Sequence, residues 1–194
     1  MTAPFARAVS ILGHPMVVVP CAALALALRS LERTQIIVMM AGMIALAALV
    51  MGWSWRQVRR GRWAHVDASQ REERRTLNRF LLLALPCAAA LSLLCGLPRA
   101  VALGLGLSAL LIAVAQWTAR WCKLSLHLAF VVYAAMLLWQ IHPIAGLCGA
   151  AFALLVAWSR LALRRHVMRD LIAGAVAGMI AGALFAVLAP RLPG

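Results

Sequence analysis

The side chains best suited to chemistry in this chain sit in one short run, Ser159 to Asp170, SRLALRRHVMRD. If that run is helical by His166, then His166 and Asp170, four positions apart, share one helix face. A carboxylate in that place accepts a ring N–H and fixes the imidazole tautomer. The other ring nitrogen then becomes a better nucleophile or base. Arg160 lies just upstream, where a loop folds it over the same spot, and its planar fork of donors suits a phosphate. The start of the next helix adds free N–H groups and a positive dipole end, which favour an anion. These residue types describe an anion site with an oriented imidazole inside it.

The elements that must position these residues are membrane-type helices. The 194 residues are 65% hydrophobic and the mean hydropathy is +0.93, whereas ordinary soluble domains are nearer half apolar. Apolar runs recur at about Ile11–Leu28, Gln35–Trp55, Phe80–Leu97, Ala100–Trp117, Ser125–Trp139, Pro143–Trp158 and Leu171–Leu188. This predicts an all-α polytopic membrane bundle with about six to seven transmembrane helices in a single domain over residues 1–194. A sheet with open edges would strand its polar backbone groups in lipid. Pro20 is the expected kink of the first span. That span is read as retained rather than as a signal peptide, because no small-residue cleavage pattern follows it. His14, near its entrance, reads as an interfacial polar residue, and Trp117 and Trp121 read as interface anchors. In the last span Gly174, Gly178 and Gly182 recur every fourth residue, so another helix of the same chain approaches closely there.

Three polar segments break the apolar pattern, at 56–79, 118–127 and 159–170. Each is separated from the next by two spans, so all three emerge on one membrane face. The 56–79 segment reads either as a basic loop held to headgroups or as a cover folding Asp67, Arg71 and Arg74 over the phosphate site. Its run from Trp63 to Arg79 lacks Gly and Pro and reads as an interfacial helix, with Trp63, Val66, Leu77 and Phe80 toward lipid.

The net charge of +14 comes from 19 basic residues, all but one of them arginine, against five acids. Nucleic acid is an unsuitable partner, since the charges lie in short segments between apolar spans without interleaved aromatic platforms. Membrane lipids with anionic headgroups, or a lipid phosphate substrate, suit them better. The cysteines Cys21, Cys87, Cys95, Cys122 and Cys148 form no close pair and read as small packing residues. No Cys–His cluster has metal-ligand spacing. Asp170 and Asp67 are too few carboxylates for a hard divalent site, so no metal or other cofactor is expected.

The pattern Ser159-Arg160, five residues, His166, three residues, Asp170 resembles the third signature of the type 2 phosphatidic acid phosphatase family, which shares the vanadium haloperoxidase-like fold. Lys123-Leu124-Ser125-Leu126-His127 is similar to the second signature, Pro-Ser-Gly-His. It keeps Ser and His in place, while the Pro is missing and Leu126 replaces the Gly. The usual first signature, Lys, six residues, Arg-Pro, has no match. The run Gly61 to Phe80 resembles a divergent form in which Asp67 precedes Arg71-Glu72-Glu73-Arg74. The resemblance implies a PAP2-like core and a lipid phosphatase. It implies that His166 attacks phosphorus to form a phosphohistidine, that Asp170 supports the imidazole, and that His127 protonates the leaving oxygen and then activates water. Arg160, Lys123, Ser125 and one or both of Arg71 and Arg74 would hold the phosphoryl oxygens, with Arg62 or Lys123 in place of the missing lysine. The substrate is left open between prenyl and glycerolipid phosphates or diphosphates.

A non-catalytic membrane protein or transporter that binds anionic lipid through its basic face is the alternative. It accounts for the charge and the spans but not for the third motif. The motif side carries 15 of the basic residues and the other side four, Arg29, Arg33, Arg99 and Arg191. By the positive-inside rule the motifs face the cytoplasm from the cell (inner) membrane.

Overall fold

The structure, a computed structural model, describes residues 2–65 and 70–192. Among these the chain is helical, with α1 (Thr2–Leu12), α2 (Pro15–Ser30), α3 (Arg33–Arg59), α4 (Arg71–Leu94), α5 (Arg99–Thr118), α6 (Leu126–Trp139), α7 (Pro143–Ala162), α8 (Met168–Leu188) and a closing 3-10 turn at Ala189–Arg191. Five of the described helices, α3, α4, α5, α7 and α8, are long and apolar enough to cross a membrane, and α1 with α2 makes a sixth if that pair, bent by 48°, is one span. The remaining apolar helix, α6, has 14 residues, which gives about 21 Å against a hydrocarbon core of about 30 Å. The chain is an integral membrane protein built as a helical bundle. Its outer surface suits lipid: Ile44, Leu83 and Leu154 are 66%, 72% and 74% exposed, a surface unsuited to water when it is this extensive.

Short α6 stands at the centre, packed against α7, α8 and α2. It is apolar on every side, as a helix surrounded by other helices must be. Ala129, Val131 and Tyr133 on it are almost wholly enclosed. The Tyr133 hydroxyl finds an acceptor in the Gly104 carbonyl of α5 at 3.4 Å, so its burial leaves no donor unpaired.

The glycines of α8 face α6, as their spacing predicts. A Cβ on Gly174 would stand 2.6 Å from the Ser125 carbonyl oxygen, one on Gly178 would meet the Ala129 carbonyl, and one on Gly182 the Met136 side chain. Gly96 ends the α4–α5 hairpin at φ +74°, where the Leu97 N–H donates to the Ser92 carbonyl at 3.0 Å. Glycine takes that left-handed turn without strain.

Three local expectations change. The first span is bent at Gly13–His14 rather than at Pro20, which lies inside α2. Pro15 opens α2, where its missing N–H costs nothing, and the His14 Nδ1 caps the helix by accepting from the Met16 N–H at 3.2 Å. The second span, α3, continues past Trp55 to Arg59. The Trp63–Arg79 run is not a separate interfacial helix, because α4 starts at Arg71 and continues unbroken into the span. Glu73 starts it, accepting from the Gln70 N–H at 2.9 Å, and no breaker follows until Pro86. Trp63 is buried edge-on to Trp53 at 5.2 Å, and Phe80 stacks on the same ring at 4.4 Å. Val66 and Asp67 lie outside the described residues.

The glycine packing gives a contrast to measure. Gly178→Ala pushes α8 off α6 and should destabilise by about 1–3 kcal/mol. Gly52→Ala, whose Cβ meets nothing within 4 Å, should be neutral or stabilising by up to about 1 kcal/mol. Thermal unfolding in detergent reads both, and equal melting temperatures would refute the close α6–α8 contact.

Candidate functional site

The end of α7 builds the site. Its last carbonyls are closed by the Leu163 N–H on Ser159 and the Arg165 N–H on Arg160, both at 3.0 Å. The turn needs a left-handed residue, and Arg164 takes it at φ +52°, a conformation where a side chain costs about 1–2 kcal/mol. The reversal brings His166 back beside the turn that carries Arg160. The α7–α8 link is tied to the α5–α6 link. Lys123 Nζ donates to the Arg165 carbonyl at 3.0 Å, and the Ser125 N–H donates to the Asp170 carbonyl at 3.1 Å.

His166 and Asp170 meet, although α8 begins only at Met168. The contact spans the helix start rather than one helix face, with His166 Nδ1 3.4 Å from Asp170 Oδ2. The same oxygen accepts from the Val167 N–H at 3.4 Å, so Asp170 serves the helix N-terminus and the imidazole together. The Cys122 thiol donates to Oδ1 at 3.6 Å. The two side chains are 9% and 6% exposed. With a carboxylate as acceptor, Nδ1 carries the proton and Nε2 keeps its lone pair. Burial, then Arg160 and Lys123, push the His166 pKa down to about 4 against the opposing pull of Asp170. The imidazole is therefore neutral, and able to act as a nucleophile, at any ordinary pH. Partial desolvation and then Arg74 hold Lys123 below the ordinary lysine range, while Asp170 pulls the other way.

Arg160 is 6% exposed. Its Nη1 donates to the Ser10 hydroxyl of α1 at 2.7 Å. Its Nε and the Ser125 Oγ are buried without a hydrogen-bond partner among the described residues. Two buried polar atoms left this way are costly unless a ligand meets them. His127, in the first turn of α6, lies within electrostatic reach of Arg160, His14, His166 and Arg165. The His14 ring stands edge-on to it, centroids 5.1 Å apart.

The structure thus gathers His166, Asp170, His127, Arg160, Lys123 and Ser125. Arg74, exposed at the start of α4, stands within electrostatic reach of both Lys123 and Arg160. The Arg71 side chain lies outside the described residues. Arg62 has an exposed side chain, and its backbone N–H closes the end of α3 on the Gln57 carbonyl at 3.0 Å. Among the described residues the buried acid of the 56–79 segment is Glu73, a clasp that accepts from the Ala64 N–H at 2.7 Å. Ser10, His14 and Cys122 stand beside these residues without having been expected there. The available signal was a pair of polar residues, Ser10 and His14, four apart in an apolar run, which inside a membrane marks function by default. Among the described residues no group of three His, Cys, Asp or Glu converges as metal ligands.

An apolar groove of about 380 Å³ runs between α5 and α8, from Thr118, Leu124 and Ala173 to Ile180 and Leu184. Leu124 and Ala173, which line one end, are the chain neighbours of Ser125 and Gly174.

Comparison with protein-family profiles, with curated proteins and with solved structures returns no match for this chain.

The electrostatics predict a titration. His166 should stay neutral as pH falls through 6.5 and take its proton only near pH 4. NMR of isotope-labelled histidine in micelles follows this directly, and a His166 midpoint near 6.5 would contradict the buried, cation-flanked environment.

Proposed function

We propose that this chain is a membrane-embedded phosphatase of the type 2 phosphatidic acid phosphatase kind, hydrolysing a lipid phosphate or diphosphate through a phosphohistidine. One observation carries this reading: the buried His166–Asp170 pair beside Arg160, with Arg160 Nε and Ser125 Oγ unpaired. A protein that only binds headgroups needs exposed cations, not an enclosed imidazole–carboxylate pair. The apolar groove lined by Leu124 and Ala173 suits the hydrocarbon chain of such a substrate.

The chemistry follows from the atoms. The Nε2 lone pair of His166 attacks phosphorus, the bond to the lipid oxygen breaks, and His127, entering the step as the imidazolium with the phosphate anion bound beside it, gives that oxygen its proton. The same ring then takes a proton from water, whose oxygen attacks phosphorus. The P–N bond breaks, phosphate leaves and the His166 lone pair is restored. Arg160, Lys123, Ser125 and Arg74 hold the phosphoryl oxygens, supplying the positioning and charge that this transfer needs. No metal step enters, because side-chain cations neutralise the charge.

Phosphate release from phosphatidate and prenyl phosphates in detergent tests the proposal. Activity should persist in chelator. His166→Ala should abolish it, and His127→Ala and Asp170→Asn should each lower it on the order of 100- to 10,000-fold. Wild-type rates in either histidine variant, or loss in chelator with recovery in magnesium, would refute the mechanism.

We infer from the charge asymmetry that the site faces the cytoplasm of the cell membrane. In a cysteine-free background, Arg75→Cys on the motif side should resist an impermeant thiol reagent in intact cells, and Arg99→Cys on the far side should react. The opposite labelling reverses the orientation.

A further inference from the structure

Two polar residues of the first helical pair reach the site although no motif includes them. Helix α1 lies on α7, with Ala6 and Val9 buried and Gly13 pressed against Val156. This seats Ser10, 7% exposed, so that its hydroxyl accepts from Arg160 Nη1 at 2.7 Å. The bend after Gly13 then sets His14 at the head of α2. There its Nδ1 is occupied by the Met16 N–H, and its ring stands at 86° to that of His127.

We propose that Ser10 and His14 are positioning residues of the phosphoryl site, Ser10 aiming the Arg160 guanidinium and His14 holding the His127 ring. The inference rests on the phosphatase reading above. A hydroxyl suits the first task better than a carboxylate. It fixes one Nη1–H and leaves the full positive charge, and Nε, for an anion, whereas an acid would neutralise the guanidinium. The second task is orientational. His127 delivers a proton to one oxygen, and a ring edge against it removes orientations that miss that oxygen. Because His14 is itself held by the helix it caps, it is a fixed surface.

The two roles leave different kinetic marks. Dodecyl phosphate has a poor alkoxide leaving group and p-nitrophenyl phosphate a good phenoxide one, so only the first depends strongly on a general acid. Orthovanadate reads anion binding without a leaving group. Ser10→Ala should weaken vanadate inhibition and lower kcat/KM for both substrates by roughly ten-fold or more, and Ser10→Thr should restore both. His14→Asn keeps a helix-capping side chain but removes the ring. It should slow the first phosphoryl transfer from dodecyl phosphate, read in a single turnover, by roughly ten-fold or more, with little change in the p-nitrophenol burst or in vanadate inhibition. If Ser10→Ala does not fold, Ser10→Asp replaces it. That variant keeps the acceptor and should lose vanadate binding through charge. Wild-type vanadate inhibition in the folded Ser10 variant, or His14→Asn slowing the first phosphoryl transfer from both substrates equally or from neither, overturns the inference while phosphatase activity stands. A wild-type protein inert to both substrates overturns the phosphatase reading and this inference with it.

Discussion

A guanidinium enclosed in an apolar helical bundle is the constraint on which the other features depend. Moving an ion of this size out of water costs several kcal/mol even after relaxation, and Arg160 bears that cost at 6% exposure. Hydrogen bonds return part of it, but the partner is a neutral hydroxyl, and Nε has none among the described residues. The nearby carboxylate, Asp170, already receives His166, Val167 and Cys122. On the proposed reading, a cation placed here without a carboxylate of its own is met by a charged ligand. On the proposed reading that ligand is a phosphoryl group, and the cation's burial is the source of its strength toward it.

Helix packing holds the parts in register. The glycine face of α8 lets its backbone touch that of α6, which carries the N-terminus of α8 to Ser125 and joins Ser125 N–H to the Asp170 carbonyl. On the other side, α7 delivers Ser159 and Arg160 to the same level and reverses at left-handed Arg164. A non-glycine residue in that conformation stores strain, and such strain collects where function fixes the backbone. The polar links are therefore positioned by close helix contacts beneath them rather than by loop chemistry alone.

The bundle and the convergence of most candidate site residues were legible in the sequence because their signals are local. Apolar runs of spanning length, glycines every fourth residue, and His166 four before Asp170 each express a geometric period. The bend at Gly13–His14 was less legible, since Pro20 is the stronger breaker by type, yet Pro15 with a capping histidine starts a helix cleanly. Ser10 and Arg160 are 150 positions apart, and no periodicity links them. Cys122 read as a packing residue because a lone thiol gives no sign of the carboxylate that folds against it. The arginine-rich 56–79 segment was ambiguous because charge alone does not separate a headgroup contact from a phosphate ligand. There the acid Glu73 closes the loop, while Arg74 approaches the site.

The most direct test of the central claim is to trap the phosphorylated protein. Purified protein is mixed with radiolabelled p-nitrophenyl phosphate and quenched in alkali, where a phosphohistidine survives and a phosphoserine or acyl phosphate does not. With this good leaving group, His127→Ala should still transfer the phosphoryl group but fail to activate water. The account predicts acid-labile, alkali-stable label that accumulates in His127→Ala, maps to the peptide containing His166 and is absent from His166→Ala. Turnover of the substrate with no such label in any variant, or label retained in His166→Ala, would contradict it.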